Sequence, residues 1–218
     1  MDTKDVVCSP VTKLVIASGN AGKVREFQHL LAGLKLTIEP QPDGLEVEET
    51  GSTFAENARL KAVAVASATG CWALADDSGL SVHALGGAPG VHSARYASSD
   101  AARIARLLQE LEDASDRSAE FSAALAMADP SGRVRLEVEG RCAGLILATP
   151  QGSGGFGYDP VFFVPASGLT YAEMDKGLKS EIGHRGRAFA QLEPQLRSLL
   201  GSWSGSCRPT AVQPIGNG

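Results

Sequence analysis

The sequence is poor in cysteine, in long apolar runs and in surplus positive charge, and each shortage excludes a class of protein. Four cysteines, Cys8, Cys71, Cys142 and Cys207, occur in 218 residues, and no two form a C-x-x-C pair. That spacing argues against a zinc ribbon, and a chain of this size needs no disulfide framework to bury a core. The thiols read as reduced, with Cys71 and Cys142 buried. No apolar stretch approaches the ~20 residues that span a bilayer. Met1 to Pro10 has no apolar centre of the signal-peptide kind. The expected address is the cytoplasm, with no membrane partner. The formal net charge is -5. A general nucleic-acid binder draws its affinity from Lys and Arg on phosphates, so that class is disfavoured. A small phosphate ligand is not, because a few cations focused in one cleft suffice.

What is present is an ordinary globular composition, 43% hydrophobic and 21% charged, with helix and strand periods in turn. Residues 1–11 read as a flexible leader, 12–202 as one α/β domain, and 203–218, polar and rich in Gly and Pro, as a disordered tail. Lys13–Ala17 is a short strand, and Val24, Phe27, Leu30, Leu31 and Leu34 repeat at helical spacing. Leu36–Ile38 suits a second strand. Thr53-Phe-Ala-Glu56 is a capping box opening a helix that ends before Gly70. Trp72–Ala75 is a buried-type strand, with Asp76-Asp77-Ser78-Gly79 expected just past its end. Gly86–Tyr96 reads as loop, and Asp100 as the cap of another helix. Phe121–Ala128 and Arg133–Leu147 read as a hairpin about Asp129-Pro130-Ser131-Gly132. A strand over Pro160–Val164 and a short helix near Tyr171–Lys176 follow. A last helix starts near His184 and is expected to kink or split at Pro194. Hairpin strands beside βα units imply a mixed sheet, in two lobes around a cleft.

Five segments carry candidate chemistry. Ser18-Gly19-Asn20-Ala21-Gly22-Lys23 lies between strand and helix, where backbone N–H groups and a lysine can face an anion. It is not a Walker A loop, since Val24 stands where Ser or Thr would hold the metal; the plain alternative is a βα turn. Asp76-Asp77 places two like charges together, a conflict that Mg2+ resolves through hard oxygen ligands; the alternative is a turn or cap. Glu46, Glu48 and Glu49 form an acidic stretch, which is either solvated or a source of a further metal carboxylate. Asn57 and Lys61 share a helix face, so Lys61 can point into a phosphate site, whereas Glu56 suits the capping box. In Gly154-Gly-Phe156-Gly157-Tyr158-Asp159, glycines flank an aromatic able to stack on a base; the alternative is a bulged turn. Lys179, His184 and Arg185 crowd a helix N-terminus, where cations oppose the macrodipole unless an anion is near.

In this order, SGNAGK (18–23), EETGSTFAENARLKA (48–62), ADDSGL (75–80), GGAPGVHSARYA (86–97), GGFGYDPVFF (154–163) and KSEIGHRGRA (179–188) resemble the inosine-triphosphate pyrophosphatase family. The resemblance runs from about Lys13 to Leu200. It implies a long central mixed β-sheet flanked by helices, two lobes around the substrate cleft, and a homodimer. It also implies Mg2+-dependent hydrolysis of ITP, dITP and XTP to the monophosphate and pyrophosphate. Residue by residue, it implies Asp77 as the catalytic acid-base group and metal ligand, and Glu48 as a second ligand with Asp76 or Glu49 as helper. Ser18, Gly19, Asn20, Ala21, Gly22 and Lys23 would bind the triphosphate. Lys61 and Lys179 would balance its charge, and Ser78 would touch substrate. Phe156, Gly157, Tyr158 and Asp159 would line the base pocket, and His184 and Arg185 would meet the 6-oxo edge. Gly183, Gly19, the stretch before Lys179 and Pro194 depart from the family's usual pattern without removing a proposed ligand. Guanine is also a 6-oxo purine, and no motif here accounts for its rejection. Two other readings are a same-fold pyrophosphatase preferring modified pyrimidines and a nucleotide sensor without catalysis. The paired acids argue against the sensor.

Overall fold

The computed structural model describes residues 12–201. The leader and tail expected over 1–11 and 203–218 lie outside these residues. The strands are β1 (Thr12–Ala17), β2 (Leu36–Pro40), β3 (Trp72–Val82), β4 (Ser118–Ala128), β5 (Val134–Ile146), β6 (Phe162–Val164) and β7 (Leu169–Thr170). The helices are α1 (Ala21–Leu30), α2 (Phe54–Thr69), α3 (Asp100–Glu110), α4 (Lys176–Ile182) and α5 (His184–Gly201). One sheet takes the strands in the order β2-β1-β3-β4-β5-β6-β7. β1 is parallel to β2 and β3, and every later pairing is antiparallel. The expected mixed α/β sheet is therefore present.

Strand length sets where the site lies. β1 meets β3 only from Leu14↔Trp72 to Ala17↔Ala75, whereas β3 runs for 11 residues. Beyond Ala75, β4 is the one named strand that pairs with β3, and an isolated bridge joins Ser81 to Pro89 on the other side. Two packed halves share the long strands. In the first, Leu14, Ile16 and Leu74 of the sheet pack against Phe27 of α1 and Leu192 and Leu196 of α5. On the opposite face, Ala58, Ala62 and Val65 of α2 lie on Ala73, Ala75 and Ala124; small side chains on both surfaces bring this helix close to the strands. In the second half, Leu107 of α3 and Leu111 at its C-cap cover Leu80, Val82 and Phe121 with Phe162 and Tyr171. Cys71 and Cys142 are buried, as expected. No helix among the described residues is long and apolar enough to cross a membrane.

Several local expectations change. Asp76–Gly79 does not follow β3 but lies within it, because pairing to Leu125, Ala124, Ala123 and Ser122 of β4 carries the strand through. Ser99, not Asp100, caps α3: its Oγ accepts the Ala102 N–H at 3.2 Å. The loop over Gly86–Tyr96 contains a 3-10 turn at Gly90–Arg95. The helix expected at Tyr171–Lys176 begins where that range ends, since Asp175 caps α4 by accepting the Leu178 N–H at 2.8 Å. α5 is not split at Pro194; its buried Phe189, Leu192 and Leu196 hold it on the sheet through the missing donor. The capping box at Thr53 and Glu56 forms as read.

Candidate active site

Alternation along a strand sends neighbouring side chains to opposite faces, and this resolves the Asp76-Asp77 conflict. Asp77 faces α2. Its Oδ1 meets Lys61 Nζ at 2.7 Å, and its Oδ2 accepts from Asn57 Nδ2 at 3.3 Å. Lys61 also donates to Glu49 Oε1 at 2.8 Å and to the Asp76 carbonyl at 2.9 Å. Asn57 and Lys61 share a helix face, as their spacing required, and the Asn57 Oδ1 further accepts the Gly51 N–H at 2.8 Å. The 49–51 segment is thereby tied to the acid. Glu48, expected as the second metal carboxylate, is exposed, and it is Glu49 that turns inward. Arg95 approaches the outer oxygen of Glu49 at 3.4 Å.

Asp76 faces α1 and α5 and is fully buried. Its Oδ2 pairs with Lys23 Nζ at 2.8 Å, accepts the Ser78 hydroxyl at 2.9 Å and lies 3.4 Å from both Nε and Nη2 of Arg185. Ser78 in turn accepts from Arg185 Nη2 at 2.6 Å. Asp76 Oδ2 is thus committed to internal pairing, while its buried Oδ1 has no hydrogen-bond partner among the described residues. Glu26 of α1 completes this face: it joins Arg185 at 2.9 Å and Lys179 at 3.0 Å. Lys179 also meets Asp159 Oδ2 at 2.6 Å.

Burial and pairing pull these groups in different directions. Burial acts against the Asp76 carboxylate, but Arg185 and Lys23 outweigh it and hold the group well below the usual range. Burial pushes Asp77 above its ordinary value, and Lys61 offsets this only in part. Burial also acts against the Lys61 ammonium, yet Asp77 and Glu49 raise it above its ordinary value. Glu26 is held low because Arg185 and Lys179 outweigh its burial.

The 18–23 segment takes a form that differs from the expected anion cradle. Asn20 caps α1, accepting the Gly22 and Lys23 N–H groups at 2.8 and 3.2 Å, and Ser18 Oγ accepts the Asn20 N–H at 3.1 Å. Those donors are occupied within the turn, whereas Gly19 and Ala21 are exposed. Gly22 has a second reason to be glycine: a Cβ there would meet the Phe156 ring at 2.8 Å.

A pocket of about 260 Å³ opens between α1, α4 and the 155–156 turn, lined among others by Glu26, Phe156, Tyr171, Lys179, His184 and Arg185. Phe156 is half-buried, with Lys179 Nζ at 5.3 Å and the Arg185 guanidinium at 5.4 Å from its ring centre. Tyr158 was expected in this pocket but is buried in the second core, its hydroxyl donating to the Ser93 carbonyl at 3.0 Å. Asp159 serves the pocket through Lys179 and by accepting the Phe156 N–H at 2.9 Å.

His184 is buried with its ring 4.8 Å from Phe121 and 5.8 Å from Tyr171. Its backbone N–H donates to the Tyr171 hydroxyl at 3.2 Å. Burial, with Arg185 adding to it, lowers the imidazole well below 6.5. The unfolded chain therefore takes up a proton near pH 6.5 that the folded chain refuses, and stability falls as pH drops below that value, by up to about 1.4 kcal/mol per pH unit. Thermal melts from pH 7 to 5 should show this slope in the wild type and a shallower one in His184→Phe; equal slopes would refute it.

Glu26 and Tyr171 were absent from the expected site. Glu26 lies three residues after Lys23 and so on the same helix face, a signal present in the sequence. Tyr171 had no such signal, because its role depends on α5 starting beside it.

The chain matches the model of the Ham1 family over residues 14–195. A dITP/XTP pyrophosphatase from Parasynechococcus marenigrum (strain WH8102) is 65% identical over 187 residues, covering 86% of this chain and 96% of the relative. Another from Synechococcus sp. (strain CC9311) is 66% identical over 187 residues, 86% of this chain and 91% of the relative. A solved structure of a HAM1 protein from Coxiella burnetii superposes with a TM-score of 0.78 at 45% identity, covering 86% of this chain and all of the other. With both the mixed sheet and the sequence matched over most of its length, this chain belongs to the Ham1 family.

Proposed function

We propose that this protein hydrolyses non-canonical purine nucleoside triphosphates, ITP, dITP and XTP, to the monophosphate and pyrophosphate, and so clears deaminated purines from the nucleotide pool. The observation that carries this is the Asp77–Lys61–Glu49 cluster on one face of β3, joined through Asp76 to the Arg185 that lines the Phe156 pocket. The activity named for the relatives supports the same reading.

The chain's residues divide the work. Phe156 offers a face for the purine. Arg185 and Lys179 are donors beside it, which suits a 6-oxo group and opposes the 6-amino group of adenine. Lys61 and Lys23 stand along β3, where the phosphates would follow, and spread their charge. Asp77, its carboxyl raised by burial, is placed to accept a proton from the attacking water. The bond between the α- and β-phosphates breaks and pyrophosphate leaves. Among the described residues no three metal-ligating side chains cluster, but Glu49 and Asp77 converge on one cation, Lys61 Nζ. Two carboxylates suit Mg2+, which keeps several waters and shares substrate oxygens. Bound there, Mg2+ would supply positive charge to the phosphate oxygens.

Turnover of ITP, XTP, GTP, ATP, dTTP and UTP, with and without Mg2+ and scored for pyrophosphate, tests the reading. Preference for ITP and XTP with metal dependence is expected; preference for dTTP or UTP would favour the pyrimidine alternative instead. Phe156→Ala should raise KM for ITP roughly tenfold or more, since base–aromatic stacking is worth about 1–3 kcal/mol. An unchanged KM would remove Phe156 from the base site. The expected cytoplasmic location and the homodimer implied by the resemblance belong to this proposal, and sedimentation at micromolar concentration tests the dimer.

A further inference from the structure

Phe156 stands between Gly155 at φ +74° and Gly157 at φ +63°. Both neighbours adopt a backbone region that side chains disfavour, and neither restricts the turn by itself. The Phe156 ring therefore depends on what holds this backbone. The Phe156 N–H is held within the turn by Asp159. The next N–H, that of Gly157, goes to a distant element: Asp100 Oδ2, in the first turn of α3, accepts it at 2.7 Å. Asp100 is itself oriented by Arg103, whose Nη1 lies 2.6 Å from Oδ1 while its Nε reaches the Ala97 carbonyl at 3.2 Å.

The same stretch of chain also grips β3. Ser93 is buried, and its Oγ accepts the Leu80 N–H at 2.9 Å and donates to the Gly90 carbonyl at 2.6 Å. The Ser93 carbonyl then receives the Tyr158 hydroxyl. Residues 90–103 form a strut with one end on β3 at Leu80, three residues past Asp77, and the other on the Phe156 turn. Ser99 already caps α3, so the Asp100 carboxylate is not needed for that task.

We propose that Asp100 is a positioning residue: by holding Gly157 it fixes the Phe156 ring relative to the carboxylates of β3. The inference rests on the proposed function, because a base that stacks on Phe156 gives this spacing its purpose. The turn lies away from the bond that is cut, so loosening it weakens substrate and transition state alike and appears in KM rather than kcat.

Asp100→Ala is expected to raise KM for ITP roughly tenfold, the size of one charge-assisted hydrogen bond, with kcat within about threefold. Amide exchange across residues 154–158 should quicken in the same variant. Asp100→Asn keeps an acceptor oxygen and should restore most of both losses. Ser99→Ala removes the helix cap but leaves the Gly157 contact, so it should lower thermal stability with KM and exchange unchanged. An unchanged KM in Asp100→Ala, or an equal rise in Ser99→Ala, would overturn the proposal. If the wild type itself fails to turn over ITP, the functional reading has failed. The exchange measurement then decides alone: faster exchange supports the Asp100 tether and unchanged exchange refutes it.

Discussion

Asp77→Asn should lower ITP turnover by roughly 100- to 10,000-fold, the range for a lost general base, while nucleotide binding survives. The substitution keeps shape and retains an oxygen for Asn57 or Lys61. Lys61 also keeps Glu49 and the Asp76 carbonyl as partners, so the cluster stays filled. What disappears is the negative charge that takes the proton from water. Burial already disfavours that charge, so the variant should melt no lower than the wild type and may be compared with it directly as a folded protein. Single-turnover pyrophosphate release measures the loss, and calorimetric titration with ITP measures the binding. Turnover within about threefold of the wild type would deny Asp77 its role as the general base.

Arg185→Met should have the largest effect on stability. Asp76 and Arg185 are both buried; the substitution leaves Asp76 with Lys23 as its remaining cation and takes one cation from Glu26. Breaking a buried ion pair from one side costs about 3–5 kcal/mol where the other charge is left uncompensated; Lys23 still answers Asp76 here, so the lower end of that range is expected. For a domain of this size that is roughly 10 °C in Tm. The sign of the pH dependence is fixed by Asp76. Its folded value is held below the ordinary 3.8, so its stabilising contribution is complete above that value and is lost as pH falls further. Without Arg185 the carboxyl moves up and can be neutralised sooner, so the gap between variant and wild type should narrow toward pH 3.5. Adding Asp76→Asn to Arg185→Met should recover part of the lost stability at pH 7, since the stranded charge is then gone. A melt equal to the wild type, or no recovery in the double variant, would show that the pair contributes nothing.

Legibility followed range. The β1–α1 opening, the Thr53–Glu56 capping box and the Asp129–Gly132 turn are built from contacts a few residues apart, and each reads correctly from local residue types. The end of β3 does not. Its apolar run stops at Ala75, but β4 lies alongside and carries the strand on through Asp76–Gly79. Glu48 and Glu49 cannot be told apart in a stretch without helix or strand period; Lys61 selects the second. Tyr158 reads as a pocket aromatic because it adjoins Phe156, and it is core because its hydroxyl reaches Ser93.

By itself, the sequence determined most of the elements, the mixed α/β class and the family, because these rest on residue type, short spacing and the joint order of the motifs. Tertiary structure alone decided which charge answers which. Arg185 meets Asp76 and Glu26 from 109 and 159 residues away, and Asp100 meets Gly157 across 57. No local pattern encodes such pairings. They follow from a sheet whose strands alternate their faces and outrun their neighbours, so that two adjacent aspartates end on opposite sides with different partners and different tasks.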